Sequence, residues 1–330
     1  MTGPCPYALG DLEAQPGTQV RGHCAVSLGT STLSLPVAIT HGAEPGPVLA
    51  VTAGIHGGEY VPMVAVRQFI RDLDPTRMRG TVVACLQSSP AAFEQRVAFV
   101  NPLDGQNLNR SFPGDPLGGP TARLAAWLWE NLLTRADYYV DCHCGDLPEV
   151  LDAWAGISAG PDGVVSRQAR ALADCFDVER LIVDHTEGST IFQAALAGIP
   201  AVLVEVGGHG RWSQAEADVQ RHGLLRLAAQ VGILPAVPAA LADGDARLPL
   251  PLFEDAADVL SNRPGMWFPV VDVGQSVTEG TRLGRLEDAF GDTVQEILAP
   301  VAGVVTFGLG SLAAGPGDLL ASIARPLPGR

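Results

Sequence analysis

Apolar positions along the first two thirds of the chain follow two alternating rhythms. Short unbroken runs, "VLAVTA", "GTVVACL", "ADYYVDCHC", "RLIVDH" and "AVLVEV", have the length of buried strands. Between them lie segments with helical spacing. In "VPMVAVRQFIRDL" the residues Val61, Val64, Phe69 and Ile70 share one side. "TARLAAWLWENLL" comes next, with Thr121 as its expected N-cap, then "VVSRQARALADCF", "TIFQAALAGI" and "QAEADVQRHGLLRLAAQVGI". Strands that alternate with helices predict an α/β sheet covered on both faces. The alternation stops near Leu234, where "PAVPAALADGDARLPLP" reads as a linker. Beyond the linker the chain is Gly-punctuated β sequence without a helical period. The expected division is an α/β domain over residues 1–240 and a β-rich domain over 241–330.

Composition narrows the possibilities. The 330 residues are 47% hydrophobic and 17% charged, which suits packed cores. A net charge of -15 offers no basic stripe for phosphates, so neither nucleic acid nor an anionic membrane is an expected partner. Ile297–Gly317 is uncharged and long enough to span a bilayer, but Pro300, Pro316 and its glycines favour turn-rich β structure. Met1–Gly10 lacks the basic flank and apolar core of a signal peptide. Six cysteines without a regular framework read as reduced thiols, and a cytoplasmic location is expected.

Two fragments carry a metal-site signal. "GIHGGEY" places His56 and Glu59 three residues apart behind an apolar strand, where a helical turn would bring them together. "DCHCGD" places His143 at the end of another strand, where open α/β sheets bind ligands. Two imidazoles and one carboxylate form a zinc set that leaves a position for water. Strand alternation puts Asp141 and His143 on one face and Cys142 and Cys144 on the other, so the thiols read as packing groups. Glu205 closes the strand "AVLVE", where a carboxylate needs a task or a partner. Taken singly, these residues also fit ordinary roles: a loop histidine, a packed histidine, a glutamate paired with arginine. The long polar loop "NPLDGQNLNRSFPGDPLGGP" has the length of a functional loop, with Asp104 read as a turn residue.

"AGIHGGEY", "NPLDGQNLNRSFPG", "YVDCHCGD" and "AVLVEVGG" occur in the order found in the succinylglutamate desuccinylase/aspartoacylase family, which the chain resembles. That family belongs to the zinc-carboxypeptidase-like superfamily. The resemblance spans about residues 30–235. It implies a zinc-carboxypeptidase-like mixed sheet flanked by helices, with one Zn2+ per chain held by His56, Glu59 and His143. It makes Glu205 the general base on zinc-bound water. "NLNR" resembles the family's substrate clamp, with Arg110 holding a substrate carboxylate and Asn109 adding a neutral hydrogen bond. The family's oxyanion-steadying arginine has its nearest upstream counterpart in Arg96. The superfamily's catalytic tyrosine has no counterpart between His143 and Glu205.

"GMWFPVVDVGQSVTEGTRLGRLEDAFGDTVQEILAPVAGVVTFGLG" resembles a biotinyl/lipoyl-like barrel-sandwich. A carrier of that kind needs a lysine at its hairpin tip. The matching stretch is "LEDAFGD", and the chain contains no lysine, so the second domain reads as structural, capping the active-site mouth or making an oligomer contact. The reading as a whole is a zinc-dependent amidohydrolase for an N-acyl amino acid or related small carboxylate-bearing amide. The alternatives are a metallocarboxypeptidase acting on short peptides and a catalytically retired binding protein on the same fold. The family resemblance allows a homo-oligomer.

Overall fold

The computed structural model describes residues 5–160, 166–241 and 248–327. One sheet of 13 strands runs through the molecule. At its centre the strands Arg79–Cys85, Glu44–Ala53, Tyr138–His143 and Ala201–Glu205 lie side by side and parallel. They are buried on both faces, which is why their sequences are continuous apolar runs rather than alternating ones. The antiparallel hairpin Thr18–Ser27/Thr32–His41 extends one side of this core. On the other side Trp154–Ile157 runs antiparallel to Ala201–Glu205 and parallel to Arg180–Val183. The sheet is therefore mixed.

Helices cover both faces. Tyr60–Asp72, Arg167–Ala173 and Gln214–Gln230 supply Phe69, Ile70, Leu172 and Leu224 to one core. Pro120–Asn131 and Thr190–Leu196 supply Leu124, Leu128 and Ile191 to the other. In the first of these helices Val66 is fully buried while Val64 is only half-buried, because the contact stripe runs through positions 61, 65, 66, 69 and 70. Thr121 is not a cap. Gly119 holds the cap position, and Thr121 lies inside the helix, donating from its backbone N and its Oγ1 to Asp104. Asp104 thus stabilises a helix start from 17 residues upstream, a partner that local sequence does not announce.

The C-terminal region begins inside the same sheet. Leu252–Glu254 pair in parallel with Leu181–Val183, and the strand Leu252–Leu260 continues against Leu319–Pro326, which pairs with Gly303–Leu309. A four-stranded antiparallel sheet made of Thr293–Leu298, Arg282–Glu287, Gly265–Pro269 and Ala313–Ala314 completes the region. Trp267, Leu283, Leu286, Ile297, Val305, Leu320 and Ile323 form its core. The uncharged stretch from Ile297 is part of this β structure, and no helix among the described residues is long and apolar enough to cross a membrane. At the turn of the 282–298 hairpin Phe290 is exposed, and Asp288 Oδ1 accepts from the backbone N of Phe290 and Asp292.

Candidate active site

His56 and Glu59 lie in the loop that joins the strand Glu44–Ala53 to the helix Tyr60–Asp72. The turn is not helical. Glu59 is the N-cap residue, with φ -88° and ψ 87°, and the convergence comes from two close approaches that only glycine permits. A Cβ on Gly57 would sit 2.3 Å from the Ala92 carbonyl carbon, and one on Gly58 would sit 1.9 Å from Asp146 Oδ1. The loop is pressed between the helix Pro90–Gln95 and Asp146, and this places His56 Nδ1 2.6 Å from Glu59 Oε1.

His143 arrives from the neighbouring strand, with Nδ1 3.0 Å from Glu59 Oε2. The ligand atoms of His56, Glu59 and His143 all lie within 4.8 Å of one another. Hydrogen-bond logic gives the imidazole tautomers. Asn107 Oδ1 accepts from the backbone N of Asn109 at 2.8 Å, so the atom facing His56 Nε2 at 3.1 Å is an oxygen, and Nε2 carries the proton. Asp141 accepts from Thr52 and Thr190, and its Oδ2 stands 3.0 Å from His143 Nε2, which likewise carries a proton. Both Nδ1 atoms are therefore turned onto the Glu59 carboxylate, each within hydrogen-bond reach of Oε1. Glu59 is 2% exposed, and its Oε2 accepts no hydrogen bond from the described residues. A buried carboxylate facing two imidazole nitrogens needs positive charge beside it, from protons on the rings or from a metal ion, and two imidazoles with one carboxylate are donors suited to zinc.

Titration behaviour expresses the same arrangement. Burial lowers the pKa of His143, but the charges of Asp141 and Glu59 outweigh it and hold the ring well above the usual imidazole range. His56 is raised as well, with Glu59 overcoming burial. Burial raises Glu59, but the two imidazoles prevail and leave it below the usual carboxylate range. Glu205 goes the other way: burial, supported by Glu59, Glu149 and Asp141 and opposed by His143, raises its pKa well above the ordinary value. Its Oε2 is buried with no hydrogen-bond partner among the described residues. Burial likewise raises the Cys142 and Cys144 thiols far above the ordinary value, so they remain protonated packing groups.

The expected substrate residues are placed unevenly. Asn109 is buried, and its Oδ1 accepts from Thr190 N at 3.0 Å, so the carbonyl end is occupied with starting the helix Thr190–Leu196. Arg110 is exposed, and among the described residues its guanidinium bonds only the Asn109 carbonyl, at 2.8 Å. Arg96 is an exposed left-handed C-cap, φ 54°, and makes no hydrogen bond or ion pair with His56, Glu59, His143 or Glu205. Four residues that sequence reasoning gave no such role also shape the site. Asn107 and Asp141 orient the two imidazoles, and Asp146 and Glu149 brace the loops around them. Asp141 had a detectable signal, its shared strand face with His143; the other three act across loops.

Fold and site together define a hydrolase-type α/β protein whose polar groups gather at the carboxyl ends of parallel strands. A model of the succinylglutamate desuccinylase/aspartoacylase catalytic domain matches residues 45–231, more than half of the chain. The chain belongs to this family of amide-bond hydrolases. It is 26% identical over 264 residues, 77% of this chain and 74% of the other, to the N-alpha-acetyl-L-2,4-diaminobutyric acid deacetylase of Halomonas elongata. Among solved structures it resembles a succinylglutamate desuccinylase/aspartoacylase from Rhodobacter sphaeroides, with TM-score 0.83, 24% identity and coverage of 98% of this chain and 100% of that one. The product-bound ectoine utilization protein EutE (DoeB) from Ruegeria pomeroyi gives TM-score 0.82 and 23% identity, with the same coverage.

Proposed function

We propose that this enzyme is a zinc-dependent deacylase that hydrolyses the amide bond of an N-acyl amino acid or a related small carboxylate-bearing amide. The observation that carries the reading is the convergence of both imidazole Nδ1 atoms on Glu59, with Glu205 beside them at the adjoining strand end. His56, Glu59 and His143 would hold one ion per chain. When bound, zinc supplies a Lewis acid for the scissile carbonyl and lowers the pKa of water. Glu205 takes the proton of the attacking water and delivers it to the leaving amine nitrogen. Burial raises its pKa, which favours holding the proton it has taken until the amine leaves. Asp141 and Asn107 hold the rings through the reaction. Arg110, without a carboxylate partner among the described residues, takes a carboxylate of the substrate, and the Asn109 amide end adds a neutral donor. The deacetylase relative supports the amide class, and the reduced cysteines support a cytoplasmic setting.

The test is amine release from a panel of N-acetyl, N-succinyl and N-formyl amino acids and short peptides by zinc-loaded protein, beside Glu205→Gln. The expected result is turnover of one N-acyl class, reduced about 10²–10⁴-fold in the variant with zinc retained. Equal turnover by the variant, or release from peptides alone, overturns the reading.

A further inference from the structure

We propose that Asp146 is a positioning residue that ties the loop bearing His56 and Glu59 to the segment leading into the Asn107–Arg110 clamp, and that the C-terminal β region holds it in place. The proposal rests on the deacylase reading for its kinetic test only.

Asp146 is fully buried, and both of its carboxylate oxygens are engaged. Oδ2 accepts from Phe99 N at 2.8 Å, and Oδ1 accepts from Leu147 N at 2.6 Å. Oδ1 also lies against Gly58, within the metal-ligand loop, in space that any Cβ there would fill. Phe99 has φ 63°, a left-handed backbone that a bulky residue rarely adopts, and the Asp146 carboxylate is the acceptor that meets its N–H. From Phe99 the chain enters a tight loop, with Asn101 N bonded to Gln106 O and Gly105 N to Asn101 O, and emerges at Asn107. The orientation of His56 and the start of the clamp therefore both depend on where this loop begins.

Asp146 is itself held from the opposite side. Its backbone N donates to Glu149 Oε2 at 2.7 Å, and its carbonyl accepts from Glu149 N at 3.0 Å. The Glu149 carbonyl accepts from His209 N, in the loop after Glu205. The strand Glu149–Leu151 pairs antiparallel with Phe307–Leu309, and Gly310 N donates to Pro148 O. One strand of the C-terminal region thus registers the turn that carries Asp146. This gives that region a role in the site without requiring any of its side chains to reach the substrate.

The test compares zinc-loaded wild type with Asp146→Ala, Asp146→Asn and Glu149→Ala. In Asp146→Ala the Phe99 amide should lose at least about tenfold of its protection from hydrogen exchange. KM for the best N-acyl amino acid should rise about tenfold, with kcat within about threefold and zinc stoichiometry unchanged. Asp146→Asn keeps one acceptor and should recover most of the loss. Glu149→Ala, which leaves the Asp146 carboxylate in place, should move KM in the same direction by less. It carries the kinetic test if Asp146→Ala does not fold. Unchanged KM in a folded Asp146→Ala or in that substitute variant overturns the proposal. So does a fall of kcat and zinc content with KM unchanged, because Asp146 would then support the metal centre alone. If wild type hydrolyses no N-acyl amino acid, the deacylase reading fails, and Phe99 exchange alone decides: lost protection in Asp146→Ala upholds the clamp, and retained protection refutes it.

Discussion

Glu205 stands directly opposite His143 in the register of two parallel strands, Ala201–Glu205 and Tyr138–His143. Register partners in adjacent strands project from the same face, so the proposed base and a proposed metal ligand are neighbours through backbone hydrogen bonds rather than through flexible loops. The same register pairs Leu203 with Asp141, which places the residue that orients His143 one step back on the same face.

His143→Ala should remove the metal. After dialysis against zinc-buffered solution, wild type should retain close to one zinc per chain by elemental analysis, and the variant far less. Wild type should also melt higher with free zinc than after chelation, by about 2.7 kcal/mol at a hundredfold excess over the dissociation constant. Equal zinc content in variant and wild type would remove His143 from the ligand set.

Asn107→Ala should weaken zinc binding about 10–100-fold, because the residue fixes the His56 tautomer without touching the ion site itself. Competition with a chromophoric chelator measures it. Asn107→Asp retains an acceptor toward His56 Nε2 and should lie near wild type; a loss as large as that of Asn107→Ala would show that the acceptor is not what matters.

Arg110→Ala should raise KM for a carboxylate-bearing N-acyl amino acid about 10–100-fold, the worth of a charge-assisted hydrogen bond. The corresponding neutral primary amide should be little affected. Equal loss on both would assign Arg110 to loop order, through its bond to the Asn109 carbonyl.

Glu149→Gln should stabilise the protein at alkaline pH. Burial, with smaller contributions from Glu59 and Asp146, pushes the Glu149 pKa from 4.5 to about 7, so the folded state favours the protonated form. The penalty for ionisation is absent below about pH 4.5, grows as the pH rises and is complete above about 7. Glutamine removes the charge and keeps an acceptor for Asp146 N. Thermal melts of metal-free protein should show variant and wild type alike near pH 4.5. At about pH 8.5 the variant should lead by on the order of 3 kcal/mol. A gap that does not widen with pH would show that Glu149 titrates in the fold as it does in the unfolded chain.

The central strands and helices were readable in the chain because each carries its own period, and four short motifs in order were enough to indicate the family. The strand Trp154–Ile157 was not readable, since four residues with a glycine near their centre carry no period. Thr121 illustrates the limit for caps: a suitable residue stood at the predicted helix start, but the acceptor came from Asp104, across a loop. The turn from His56 to Glu59 was expected to be helical, and the structure achieves the same convergence with two glycines pressed against Ala92 and Asp146.

Sequence alone supplied the residue types that the proposed chemistry requires, His56, Glu59, His143 and Glu205, and the strands that lead to them. Strand period and burial are local consequences of the apolar pattern. Tertiary structure alone decided which nitrogen of each imidazole faces inward, and that Asn107, Asp141, Asp146 and Glu149 hold these groups in place. It also decided that the C-terminal region begins as a strand of the catalytic sheet. Hydrogen bonds between residues about 40 to 90 positions apart depend on how loops and strands meet in space, and no local period encodes such meetings.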